Sequence, residues 1–156
     1  MGEVIKYGCI MDAALFEKLE NGEIIDRMEA AIGHCIACKK VLVEEDTADK
    51  GRRMILNFGH TFGHALEKLT GFSGLSHGRA VAIGMVMAAE VGESLGITEM
   101  GTAARIRRVL ESYGLPVKSG FDLPRSRGDG ARQKELRQNA EPHPVKNDRR
   151  LRDPPD

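Results

Sequence analysis

Residues 80–89 read AVAIGMVMAA, without a polar side chain at any position. No amphipathic arrangement accommodates such a run. A helix built from it is apolar on every side and has to be enclosed by other elements. Gly96 follows as a stop signal, so the sequence predicts a buried helix over residues 80–95 with the rest of the chain packed around it. At 156 residues the chain is long enough for one domain with a core. Hydrophobic residues make up 41%, aromatics only 4%, and Trp is absent. A core of that kind is aliphatic and methionine-containing, as in helix-on-helix packing. The expected fold class is all-α.

The chemistry sits just before this helix, in NFGHTFGHALEKLTGFSGLSHGRAVAIGMVM from Asn57 to Met87. It holds His60, His64 and His77, three of the five histidines of the chain. Four residues apart on a helix, His60 and His64 share one face, one turn from each other. A glycine-bearing loop then brings back His77. Helical histidines at this spacing are often plain surface or core residues, but a third one after a loop suits a metal or catalytic site. Neutral imidazole suits zinc, and a catalytic zinc takes three protein ligands plus an open position. The spacing leaves open whether both helical histidines bind metal or one of them moves protons.

The rest of the chain reads as further helices. Residues 2–10, GEVIKYGCI, predict a short helix or buried segment, on which Glu3 and Lys6 form a surface ion pair by pattern alone. Asp12 is the expected cap of a helix through Leu19, with Leu15, Phe16 and Leu19 inward. After the Asn21-Gly22 turn a long helix is expected over residues 24–44, its buried face made of Ile24, Ile25, Met28, Ala31, Ile32, Cys35, Ile36, Cys38, Val41 and Leu42. Residues 44–53, EEDTADKGRR, read as a solvated connector. Gly71 is expected to end the histidine helix. Residues 98–113 predict an amphipathic helix capped by Thr98 or Thr102, with Ile106, Val109 and Leu110 inward, and stopped by Gly114.

Zero net formal charge gives no reason to expect nucleic acid or a bilayer as partner. The longest apolar run is far below the ~20 residues of a membrane span. The start of the chain lacks a signal-peptide layout. Cys9, Cys35 and Cys38 follow no disulfide framework, and are expected as reduced thiols in a cytoplasmic protein, Cys35 and Cys38 as packing residues. After about Lys118 the composition changes. Residues 119–156 are dominated by Arg, Asp, Gln, Asn and Pro and are expected to be disordered, with a short helix near residues 131–139.

Three segments, GEVIKYG at residues 2–8, EEDTADKGRRMILNFGHTFGHALE at 44–67 and HGRAVAIGMVMAA at 77–89, resemble the 3-dehydroquinate synthases of the shikimate pathway. LNFGHTFGHA is close to diagnostic of the wider sugar-phosphate cyclase group. The resemblance spans residues 1–118 and corresponds to the family's C-terminal helical domain; the NAD-binding half has no counterpart in it. It implies that Glu3, His60 and His77 bind Zn²⁺, with Co²⁺ able to substitute, and that His64 is an active-site histidine that does not bind metal. It implies that Lys6, Lys39, Arg53 and Asn57 hold the phosphate, carboxylate and hydroxyls of a sugar-acid phosphate, DAHP. It implies further that the product is 3-dehydroquinate plus phosphate, that NAD⁺ acts without net redox change, and that the full-length enzyme is a homodimer. This reverses the pattern-based reading of Glu3 and Lys6 as a surface ion pair.

The alternatives are another sugar-phosphate cyclase, a glycerol-dehydrogenase-like metal enzyme, or a non-catalytic helical module. Arg79 and Asp49 stand where the family usually has Glu, and the tail lacks the family's Asp-Lys-Lys segment. One permitted choice of codons for the residues from Asp129 on, read one base later, restores an Asp-Lys-Lys and an apolar run. The expectation is a shift of reading frame between about Lys118 and Asp129.

Overall fold

The computed structural model describes residues 1–71 and 74–120. The tail beyond residue 120, with its expected short helix, lies outside the described residues. Within them the fold is all-α: helices α1 (Gly2–Ile10), α2 (Ala13–Glu20), α3 (Met28–Glu45), α4 (His60–Leu69), α5 (His77–Ser94) and α6 (Thr102–Ser112), with 3₁₀ turns at Ile25–Arg27 and Arg52–Asn57. They form two compact units. Met1–Glu3, the first turn of α1, belongs with the described residues from Asn57 onward, and Val4–Leu56 form the other.

In the first unit α5 packs against both α4 and α6. As the sequence predicts, residues 80–89 are buried on all sides, with half-buried Met87 as the exception. Full burial of Val81, Ile83, Met85 and Val86 stabilises the fold by roughly 1.5–3 kcal/mol each. Helix α5 begins earlier than expected, at His77, so this histidine is not a loop residue but opens the helix.

Helices α4 and α5 approach closely because glycines face each other. A Cβ on Gly84 would lie 2.0 Å from the Gly59 carbonyl oxygen, and one on Gly63 would lie 3.2 Å from the Val81 nitrogen. Gly59 also precedes α4 with φ +78°, a conformation that a side chain disfavours. Helix α6 buries Ala103, Ile106, Val109 and Leu110, the inward face expected from its periodicity. Its cap differs from expectation. Gly101 stands at the cap position, and the Ala103 N–H donates to the Glu93 carboxylate of α5 at 2.8 Å. Thr102 turns its hydroxyl to the Glu99 carbonyl, which is why its side chain is spent elsewhere.

The second unit starts α2 as expected, with Asp12 Oδ1 accepting from the Leu15 N–H at 3.0 Å. Leu15, Phe16 and Leu19 are buried. The long helix breaks near its start: Ile25–Arg27 is a 3₁₀ turn and α3 begins at Met28. Its buried face is narrower than predicted. Ala31, Cys35, Cys38 and Leu42 are buried, whereas Ile25, Ile32 and Ile36 are exposed. The four buried positions follow the 3, 4 and 7 spacing of one stripe, and the three isoleucines lie off it. The charged connector is also more ordered than expected. Asp46 accepts from the backbone N–H groups of Lys50, Gly51 and Arg53 at 3.2, 2.7 and 3.2 Å. These bonds, that from Gly51 foremost, hold its carboxyl below the usual carboxylate range.

Candidate metal centre

Three parts of the first unit converge: the first turn of α1, the start of α4 and the start of α5. The close approach at Gly2 makes this possible, since a Cβ there would lie 2.6 Å from the Gly78 carbonyl oxygen. Glu3 thereby meets the beginning of α5, where His77 stands. One ligand atom from each of Glu3, His60 and His77 lies within 4.8 Å of the others. The Glu3 Oε1 to His60 Nε2 distance is 3.8 Å. Two ligands about 2.1 Å from a tetrahedral zinc stand about 3.4 Å apart, so a small side-chain adjustment brings this pair to coordinating geometry.

His60 and His64 do share a face of α4, with ring centroids 5.6 Å apart. His77 lies 5.2 Å from His60 and 5.7 Å from His64 by the same measure. The three imidazoles thus form a triangle, with Glu3 beside the His60 corner. A second group, His64, Glu67 and His77, also has its ligand atoms within 4.8 Å of one another. Here the contacts are hydrogen bonds: Glu67 Oε2 lies 2.8 Å from His64 Nδ1 and Glu67 Oε1 lies 3.1 Å from His77 Nδ1.

Glu67 was not singled out in the sequence. The available signal was its place three residues after His64 on the same helix, a spacing at which side chains meet. It is buried, while His64 and His77 are about half exposed. The hydrogen bond from His64 is the largest cause that holds its carboxyl below the usual range, with burial opposing and His77 assisting.

The donor set suits a divalent ion. Two imidazoles and a carboxylate match zinc's preferences. Each imidazole of the first group has a partner on its other side: His60 Nδ1 lies 3.3 Å from the Phe58 carbonyl oxygen and His77 Nδ1 contacts Glu67. Such outer contacts orient a metal-binding ring and leave Nε2 for the ion. The described residues therefore contain His/Glu groups able to hold a metal.

The remaining predicted residues are placed as follows. Asn57 is half-buried at the end of the 3₁₀ turn before α4. Lys6, Lys39 and Arg53 belong to the second unit. Lys6 is buried, and its Nζ donates to the Leu56 carbonyl at 3.0 Å. Lys39 is exposed on α3. Arg53 Nε stands 3.9 Å from Asp49 Oδ1. Cys35 and Cys38 are both buried inside α3, in keeping with packing cysteines. Burial first, and then Asp12, push the Cys38 thiol up to about 11. The sequence did not flag that Asp12 also engages His34 of α3, at 2.7 Å between Oδ2 and Nε2.

No helix among the described residues is long and apolar enough to cross a membrane.

The family model for the C-terminal part of 3-dehydroquinate synthase matches residues 1–132. Among curated relatives, the 3-dehydroquinate synthase of Clostridium perfringens (strain SM101) is 50% identical over 119 residues, which are 74% of this chain and 34% of the relative. That of Clostridium acetobutylicum is 46% identical over 120 residues, again 74% and 34%. That of Pelobacter propionicus is 45% identical over 122 residues, with the same coverage. The chain thus spans about a third of the length of these relatives. With a family model over most of its length and a converging set of histidines and acids inside the matched region, the chain belongs to the 3-dehydroquinate synthase family, as part of its C-terminal domain.

Proposed function

We propose that this chain is the metal-holding portion of a 3-dehydroquinate synthase, the enzyme that converts DAHP to 3-dehydroquinate and phosphate on the shikimate route to aromatic amino acids. Glu3, His60 and His77 are the ligands, and Zn²⁺, or Co²⁺ in its place, is the ion. The observation that carries this reading is the approach of one ligand atom from each of those three side chains to within 4.8 Å of the others, although Glu3 and His77 belong to the first and the last of the matched motifs.

The ion, when bound, supplies Lewis-acid polarisation of the substrate's hydroxyl-bearing and carbonyl carbons. The protein's own groups do the rest. Two neutral imidazoles and one carboxylate leave an open position for adjacent substrate hydroxyls. His64, whose Nδ1 lies 2.8 Å from Glu67 Oε2, moves protons. Lys6, Lys39 and Arg53 neutralise phosphate and carboxylate, for which ammonium and guanidinium donors are suited. Asn57 offers an amide to a hydroxyl. NAD⁺ would supply the hydride chemistry, held by a part of the full-length enzyme outside the region matched here.

The test is a calorimetric titration of the 156-residue chain with Zn²⁺. One ion per chain, bound at micromolar concentration or tighter, is expected. No binding at micromolar free metal would remove the proposal's basis.

A further inference from the structure

One carboxylate serves two histidines in this site. Glu67 reaches His64 Nδ1 with Oε2 at 2.8 Å and His77 Nδ1 with Oε1 at 3.1 Å. It reaches the first along α4 and the second across to the opening residue of α5. Its side chain is only 10% exposed, so water competes poorly for either oxygen.

We infer that Glu67 is a positioning residue that fixes the protonation pattern of His64 and His77 together, holding both as Nδ1–H tautomers. The argument follows from donor and acceptor chemistry. An ionised carboxylate only accepts, so each nitrogen facing it must carry a proton. A neutral imidazole carries one proton, so Nε2 of both rings bears a lone pair. On His77 that lone pair is the one left for a metal ion; on His64 it is a base. A single buried side chain thus prepares the ligand and the proton-moving group at once. An amide in its place cannot do so. Its oxygen accepts from one ring, while its NH₂ requires a lone pair on Nδ1 of the other and so moves that ring's proton to Nε2. The consequence for metal binding rests on the proposed ligand set; the tautomers themselves do not.

The experiment uses the full 156-residue chain with ¹⁵N-labelled histidine. Long-range ¹H–¹⁵N spectra of the metal-free protein at mildly alkaline pH read each tautomer directly. Both His64 and His77 are expected as Nδ1–H in the wild type, and one of the two as Nε2–H in Glu67→Gln. Zinc affinity is expected to fall by about 10–100-fold in Glu67→Gln, the usual cost of losing an outer partner. His64→Ala should leave the His77 tautomer unchanged, because its own contact to Glu67 persists. Wild-type spectra that show either ring as Nε2–H overturn the inference, whether or not the variant folds. Unchanged tautomers and unchanged zinc affinity in a folded Glu67→Gln overturn it as well. Correct tautomers in a wild type that binds no zinc would instead sink the ligand assignment and leave the role of Glu67 standing.

Discussion

Glu67 and His77 meet across the α4–α5 interface, with 3.1 Å between Oε1 and Nδ1. The contact ties a buried carboxylate in the last turns of one helix to the first residue of the next. It engages Nδ1 of the His77 ring and leaves Nε2 outside this contact. The same carboxylate contacts His64 at 2.8 Å, whereas His60 Nδ1 lies 3.3 Å from the Phe58 carbonyl oxygen, so the two helical histidines have different partners although they share a face.

Zinc binding should discriminate among the four polar residues of the site. Alanine at Glu3, His60 or His77 removes a proposed ligand, and each is expected to lower affinity well beyond the ~10–100-fold cost of an outer partner. His64→Ala should stay within that smaller range. Equilibrium dialysis with zinc across the four variants checks this, and equal losses in all four would refute the division of roles.

Catalysis by the isolated polypeptide is not expected. Incubated with DAHP, NAD⁺ and zinc, the purified chain should release no phosphate above the blank, because it spans about a third of its relatives and matches only the C-terminal family model. A phosphate-release assay decides, and measurable turnover would contradict the proposal that NAD⁺ is held elsewhere.

The glycine contacts between α4 and α5 leave no room for a methyl group. A Cβ on Gly84 falls 2.0 Å from the Gly59 carbonyl oxygen, against backbone that cannot rotate away. Gly84→Ala should therefore cost at least the ~1–3 kcal/mol typical of overpacking. It should also displace His60 and weaken zinc binding. Gly33 has no atom near its would-be Cβ, and Gly33→Ala in α3 should be neutral or stabilising by up to ~1 kcal/mol. Denaturant midpoints of the two variants test the contrast.

Acid should loosen the connector around Asp46. Its carboxyl is held below the ordinary aspartate value of 3.8 by the backbone donors of Gly51, Lys50 and Arg53. A depressed folded-state value means that the stabilisation is present above 3.8 and is lost as pH falls through the folded value. Stability profiles measured by denaturation from neutral pH downward should show a shallower acid limb in Asp46→Ala. An unchanged limb would mean that folding does not depress the Asp46 carboxyl.

Cys38 should resist alkylation. Its thiol is fully buried and pushed up to about 11, chiefly by desolvation, so little nucleophilic thiolate forms near neutrality. The raised value contributes stability below the ordinary thiol value of 9.0, and that contribution is lost as pH rises towards 11. Mass spectrometry after iodoacetamide at neutral pH should find Cys38 unmodified in the native chain and modified in denaturant.

The sequence alone determined most of the elements and their ends. Asp12 as a cap, glycines after α4, α5 and α6, the inward face of α6 and the all-round burial of residues 80–89 are encoded within a few residues of where they act. Helix periodicity and capping depend on neighbours within one turn, so they are legible locally. Likeness to a family named Glu3, His60 and His77; the separation of Glu3 from either histidine by more than fifty residues carries no geometric information by itself.

Tertiary structure decided which side chains share a partner. It gave Glu67 to two histidines, Asp12 to His34, and Glu93 to the Ala103 N–H at the start of α6. It also left Ile25, Ile32 and Ile36 exposed where hydrophobicity alone placed them inside. In each case the outcome depends on how close two helices come and at what rotation. Glycines such as Gly84 and Gly2 set that approach through contacts with backbone far along the chain, and no local pattern contains it.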